Sequence, residues 1–277
     1  MSDIKLFISL QKDNIDQLQE CFKENIDVSK PLNVSNQMLP KILHDDASLV
    51  AVAAYYKASQ CFRHLLSIIP NPLIIDKEGR SLLHFAAASG SLDIYQIAEE
   101  VINGHSPDLE NSPEINIYLD FLDNSVAHYA ASSGSLEILQ YLWMQGQDIT
   151  TLNKKDESAL HWAVRAGKID IIEFLVSSTT LTLQSLNQSN QPAFMLFPNI
   201  RTLDKCLQCG VDINETLPDG LTLLEYAVMN SKYDLAEYLL ERGINTRTRG
   251  LNHFTPYEYA MNKDRRMVNL LSKYQNK

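Results

Sequence analysis

The sequence predicts an all-α fold of the solenoid kind, in which pairs of helices stack in single file. Three features predict it: a short apolar motif that recurs at a steady spacing, a second helical pattern after each copy, and a small-residue linker between them. Ser81-Leu82-Leu83-His84-Phe85-Ala86-Ala87 returns as Ser125-Val126-Ala127-His128-Tyr129-Ala130-Ala131 and as Ser158-Ala159-Leu160-His161-Trp162-Ala163-Val164. Weaker copies begin at Ser48, Gln191, Thr222 and Thr255, giving steps of 33, 44, 33, 33, 31 and 33 residues. A period of this length marks repeats that cannot bury their apolar faces alone and must stack to do so.

Residues 1–46 are expected to form an atypical N-terminal unit, with Asp13 to Phe22 reading as its second helix. Each later unit except the one at Gln191 opens on Ser or Thr, which suits a helix N-cap. Five positions on stands a small residue: Ala53, Ala86, Ala130, Ala163, Ala227 and Ala260. These alanines let the two helix layers approach closely. Ser89-Gly90-Ser91, Ser133-Gly134-Ser135 and Ala166-Gly167-Lys168 end the first helix with a residue that tolerates positive φ. Second helices such as Ile138-Leu139-Gln140-Tyr141-Leu142 and Ile171-Ile172-Glu173-Phe174-Leu175 double their apolar positions, as a helix clasped from two sides requires.

Two places break the rhythm. The 44-residue step puts an insertion at about 103–115, where Gly104, Pro107 and Pro113 exclude a continuous helix. The unit at 187–214 is degenerate: Gln191 to Pro198 lacks the alanine, the unit is short, and Pro198 stops its first helix. It is predicted to be the weakest joint. Residues 255–277 are expected to close the stack with a thin apolar stripe beside Arg265, Arg266 and Lys273, so that 1–277 form one domain.

These residues resemble the ankyrin repeat, whose first helix starts Thr-Pro-Leu-His-x-Ala at a period of about 33 residues. Thr255-Pro256-Tyr257-Glu258-Tyr259-Ala260 carries the Thr-Pro, three units carry the His, and Gly210-Val211-Asp212-Ile213-Asn214 and Gly243-Ile244-Asn245 match the family's turn. The resemblance covers about residues 40–277. It implies two antiparallel helices and a projecting β-hairpin finger per unit, capped ends, and a protein ligand on the concave face.

A formal charge of −10 argues against nucleic acid or an anionic membrane surface as partner and favours a basic protein segment. No run approaches the ~20 apolar residues of a membrane span. Cys21, Cys61, Cys206 and Cys209 are too few for a disulfide framework, so a reducing compartment is expected, cytoplasmic or nuclear.

The chemistry-bearing motifs are weak. A serine three residues before His84, His128 and His161 repeats three times, which is how scaffold elements behave; nucleophilic catalysis needs one such pair with an orienting third group. Cys206-Leu207-Gln208-Cys209 is half a zinc site with no second half nearby. Glu99 to Asp123 is acidic, without a calcium loop's alternation, and reads as a solvated loop or as an arm for a basic partner. No phosphate loop is present, and no cofactor or metal is expected. The sequence therefore reads as a non-enzymatic, monomeric adaptor. A regulator that masks a basic segment is the alternative, and an enzyme would have to build its site from 100–118 and 187–203.

Counted from each Ser or Thr, the family's contact positions fall on the finger tips just before it and at the first helix's end. Their large occupants are Tyr55, Tyr56, Phe121, Leu122, Lys154, Lys155 and Arg165. Aromatic and arginine side chains dominate binding energies, which makes these the candidate partner site. The opposing expectation is that Phe121 and Leu122 pack under the insertion, and that Tyr55 and Tyr56 cover the N-terminal unit.

Overall fold

The repeating motif becomes a stack of helix pairs. The computed structural model describes residues 2–23, 31, 39–69, 71–104, 117–250, 253–261 and 263–274. Helices α1 (Ser2–Gln11) and α2 (Ile15–Phe22) form the first pair, followed by α3 (Leu49–Tyr55) with α4 (Ser59–Ile68), and α5 (Leu82–Ser89) with α6 (Leu92–Gly104). Then come α7 (Val126–Ser133) with α8 (Leu136–Met144), and α9 (Ala159–Arg165) with α10 (Ile169–Ser178). A 3₁₀ turn (Ala193–Leu196) pairs with α11 (Ile200–Gln208), α12 (Leu223–Met229) with α13 (Tyr233–Glu241), and α14 (Pro256–Met261) with α15 (Arg265–Ser272). From α3 onward the first members line up as an inner layer, each stacked on the next except at the step from the 3₁₀ turn to α12, and the second members form the outer layer.

Inner helices of six to eight residues are far too short to stand alone, so caps and burial hold them. The alanine row is the hinge of that burial: Ala53, Ala86, Ala130, Ala163, Ala227 and Ala260 all have 0% exposure. At the helix starts, Ser81, Ser125 and Ser158 form capping boxes in which the third residue is His84, His128 or His161. In the last two units a glutamate takes that place. Glu225 accepts the Thr222 N–H at 3.0 Å, and Glu258 accepts the Thr255 N–H at 2.8 Å. The two residue types share one function, an acceptor reaching back to the cap. The sequence reading, which followed the histidines, missed it.

The N-terminal pair is tied in by Asp13. Helix α4 has no side-chain cap from its own N-cap residue, Ala58. The Asp13 carboxylate supplies it, accepting the Gln60 and Cys61 N–H groups at 3.0 and 2.9 Å. Leu6, Phe7, Leu10, Leu18 and Cys21 bury the contact.

Two expectations change. Among the described residues no β-strand forms. Each finger is a five-residue turn, closed in three cases by a single antiparallel bridge: Leu119 with Ser125, Leu186 with Pro192, and Thr216 with Thr222. Those bridges also correct the register of the degenerate unit. Pro192, and not Gln191, stands where the others have Ser or Thr. The steps around it become 34 and 30 residues in place of 33 and 31. A proline there brings neither a capping hydroxyl nor an N–H for the third residue to accept, and only a 3₁₀ turn follows.

The predicted insertion falls almost wholly on residues 105–116, outside the described residues, and so do Asp108, Glu110 and Glu114 of the acidic run. Helix α6 runs to Gly104, and the described chain resumes at Ile117, whose carbonyl accepts the Ser81 hydroxyl at 2.6 Å.

Candidate functional site: the finger row

Each of four finger turns is organised by one side-chain oxygen. Asp76 Oδ1 accepts the N–H groups of Glu78 and Arg80 at 3.0 and 2.8 Å, and Asp120 Oδ1 those of Leu122 and Asn124 at 2.8 and 2.9 Å. Asn153 holds Lys155 and Glu157 in the same way, and Asn187 holds Ser189 and Gln191. These Asx-type turns need a residue in the left-handed region near their end. Gly79, Asp123, Asp156 and Asn190 take it, with φ between 55° and 79°. Glycine, aspartate and asparagine are the residues that bear this conformation most easily.

Neighbouring turns are joined by one backbone hydrogen bond each. Lys77 donates to Asp45 at 3.1 Å, Phe121 to Glu78 at 2.9 Å, Lys154 to Leu122 at 2.8 Å and Gln188 to Lys155 at 2.9 Å. The next donor in this series would be residue 218. It is proline, so the ladder stops there.

Side chains brace the same turns from beneath. Arg80, almost buried, bonds Asp76 Oδ2 at 2.6 Å and Asp45 at 2.9 Å. Tyr129 OH donates to Asp120 at 2.7 Å, and Asn153 Nδ2 donates to Asn124 Oδ1 at 2.6 Å. Glu157 receives both the Arg165 guanidinium and Trp162 Nε1. The tips therefore stand on a rigid base, which suits a recognition surface.

This geometry brings four predicted residues together. Phe121 and Leu122 are exposed on one tip, at 56% and 39%, and Lys154 and Lys155 are exposed on the next. Lys154 Nζ donates to the Phe121 carbonyl at 2.7 Å and lies 3.6 Å from Asp123. The Phe121 ring covers Gly79, where a Cβ would come within 2.5 Å of it; only glycine fits below the ring. Arg165 sits at the end of α9, half-exposed and held by Glu157. Tyr55 and Tyr56 stand apart from this group, with the whole unit opening at Ser81 between. Tyr56 packs edge-on against Phe7 at 5.7 Å and against Tyr55 at 5.4 Å, and burial raises its pKa. This pair faces the N-terminal helices.

The sequence reading passed over an inner row, four residues after each Ser or Thr: Phe85, Tyr129, Trp162, Tyr226 and Tyr259. Tyr129 lies edge-on to both His84 and Trp162, at 5.1 and 5.3 Å. The shared offset was available as a signal, but it reads as core until exposure is known. Trp162, Tyr226 and Tyr259 are only partly covered.

The motifs that invited a catalytic reading are occupied. Because the Ser81, Ser125 and Ser158 N–H groups can only donate, Nδ1 of each partner histidine accepts, and the ring proton sits on Nε2. His84 and His128 donate that N–H to the carbonyls of Asn124 and Glu157 at 3.3 and 2.9 Å. Burial lowers the pKa of all three rings, that of His84 to about 4. His84 and His128 are neutral braces between units, and His161 is a neutral brace of its own helix start. Burial also pushes the Cys206 thiol up to about 12, which keeps it protonated and unreactive. Among the described residues no group of three or more metal-binding side chains converges, and no helix is long and apolar enough to cross a membrane.

Comparison with known proteins agrees with the architecture. The family model for ankyrin repeats (3 copies) matches residues 50–152, 95–187 and 194–277. No curated protein matches the chain.

Proposed function

The chain belongs to the ankyrin-repeat family, a protein-interaction module, and from that premise we propose that it is a monomeric, non-enzymatic adaptor of the cytoplasm or nucleus that grips a partner on its finger tips. One observation supports this most: Phe121 and Leu122 are held out in water on a turn whose backbone is fixed at both flanks. An apolar pair in that position is costly to a protein without a partner. Lys154 and Lys155 give the patch a cationic edge, and Asp123, Glu78 and Asp156 alternate with them. A segment with an apolar anchor and an adjacent acid fits the tips.

Tyr55 and Tyr56 belong to the proposed surface only as its distant end, since they already have intramolecular partners. The experiment is affinity capture from cell extract with the native chain and with a Phe121→Ser, Leu122→Ser variant. Both side chains are exposed, so the variant should keep its fold and its circular dichroism. Anchors of this kind contribute about 2 kcal/mol or more, so the specific partner should drop out. Equal recovery by both proteins would remove the finger tips as the site.

A further inference from the structure

We propose that a second surface, a cleft behind the fingers of the unit opening at Ser125, receives an arginine side chain from a basic protein segment. It stands apart from the finger-tip reading, and none of its lining residues is shared with that patch. The cleft holds about 380 Å³ between the first arm of the 118–125 turn, the start of α7, the end of α8 and the loop at 147–151. Val126, Leu142 and Ile149 make an apolar floor, and Leu119 forms one wall. In the preceding unit the corresponding gap is bridged by the Ser81 hydroxyl on the Ile117 carbonyl. Ser125 makes no such bond; among the described residues its hydroxyl meets only His128 of its own helix.

Two oxygens in the cleft, Thr151 Oγ1 and Asp148 Oδ2, accept no hydrogen bond among the described residues. Thr151 Oγ1 is sealed from water and has no hydrogen-bond partner among the described residues. Leaving a buried polar atom unpaired is expensive, and an incoming N–H relieves it. Asp148 is exposed, and its Oδ1 is fixed by the Thr150 N–H and hydroxyl at 2.8 and 2.6 Å, which lowers its pKa. Its Oδ2 has no protein donor among the described residues. The surrounding charge names the ligand. Over the described residues 81–104 and 117–153 the chain has seven Asp and Glu and no Lys or Arg, so no described cation of these two units competes for Asp148.

An aliphatic stem over an apolar floor, a cation at the rim and an acceptor inside describe Lys or Arg. The guanidinium is the better match. Its five N–H groups are spread in a plane, so one head can serve Asp148 and Thr151 together, whereas an ammonium is a single point. The partner is thus a segment presenting arginine, recognised by charge complementarity.

The test uses the full chain labelled with ¹⁵N and three capped tripeptides: acetyl-Ala-Arg-Ala-amide, its lysine analogue, and its citrulline analogue, which keeps the shape and removes the charge. The arginine peptide should move the Val126, Ala127, Ile149 and Thr151 amides with saturation near about 1 mM, a value suited to one side chain. Citrulline should bind about tenfold more weakly, lysine in between, and Asp148→Asn should lower arginine affinity about tenfold. Thr151→Val, which keeps the shape, should weaken it about threefold, and the Phe121→Ser, Leu122→Ser variant should leave it unchanged. Absence of saturable shifts at these amides, equal binding of citrulline, or indifference to Asp148→Asn would overturn the proposal. Loss of tripeptide binding in the finger-tip variant would overturn the independence of the two surfaces.

Discussion

At the scale of single residues, the capping histidines decide how this protein answers to acid. An ordinary histidine titrates near 6.5, whereas His84 in the fold titrates at about 4 because its ring is buried and neutral. A depressed folded pKa contributes stability that is present above 6.5 and is lost as pH falls toward 4. By pH 5 much of the His84 contribution is already lost, and His128 and His161 act in the same direction. Glutamine at position 84 can accept the Ser81 N–H as a capping box allows, but it does not titrate. His84→Gln should therefore show a smaller drop in urea midpoint between pH 7 and pH 5 than the native chain. An equal drop would mean that His84 is no proton sensor. The role of these histidines was legible in the sequence, because a Ser–His pair repeated at one register can only be scaffold. Their neutrality was not, since it depends on burial that no single position announces.

At the scale of elements, the finger ladder and the helix stack fail at the same place. Gln188 still donates to Lys155, so the finger at 187–191 belongs to the N-terminal run of units. Beyond it Pro218 offers no donor, and the 3₁₀ turn that stacks on α9 hardly approaches α12. A cleft of about 320 Å³ opens between Phe197–Ile200 and Ser231–Leu235, where other units pack linker on linker. Tyr238 OH on Asp204 at 2.6 Å and Gln184 on Glu215 at 3.3 Å are among the few ties across it. The sequence placed the weak joint at 187–203 from a missing alanine and a proline. We propose that it lies instead at the junction that follows, because a finger is held by its backbone donor and not by its inner helix. Amide exchange should therefore begin in 209–221 while Gln188 remains protected. Slower exchange in 209–221 than at Gln188 would refute the joint. The insertion at about 103–115 was legible as a break in rhythm, but spacing carries no information about what fills such a break.

At the scale of the whole molecule, that joint divides the chain into parts of different charge. Residues 1–208 carry 15 Lys and Arg against 25 Asp and Glu, while 209–277 carry nine of each. The entire net charge lies on the N-terminal side. Repeat stability is a sum of unit terms and nearest-neighbour interfaces, so one poor interface uncouples what lies on either side. Among the described residues the part beyond it holds two helix pairs, and its last helix, α15, buries little more than Met267 and Leu271. It should unfold first. The two tryptophans, Trp143 and Trp162, both lie on the N-terminal side, so tryptophan fluorescence reports that part alone, whereas circular dichroism at 222 nm reports every helix. In urea, ellipticity should begin to fall before fluorescence changes, and the two curves should meet only at the end of the transition. Superimposable curves would show one cooperative unit and a well-coupled junction at Pro218. A separation is the expected result because cooperativity travels only through contacts, and this junction has few.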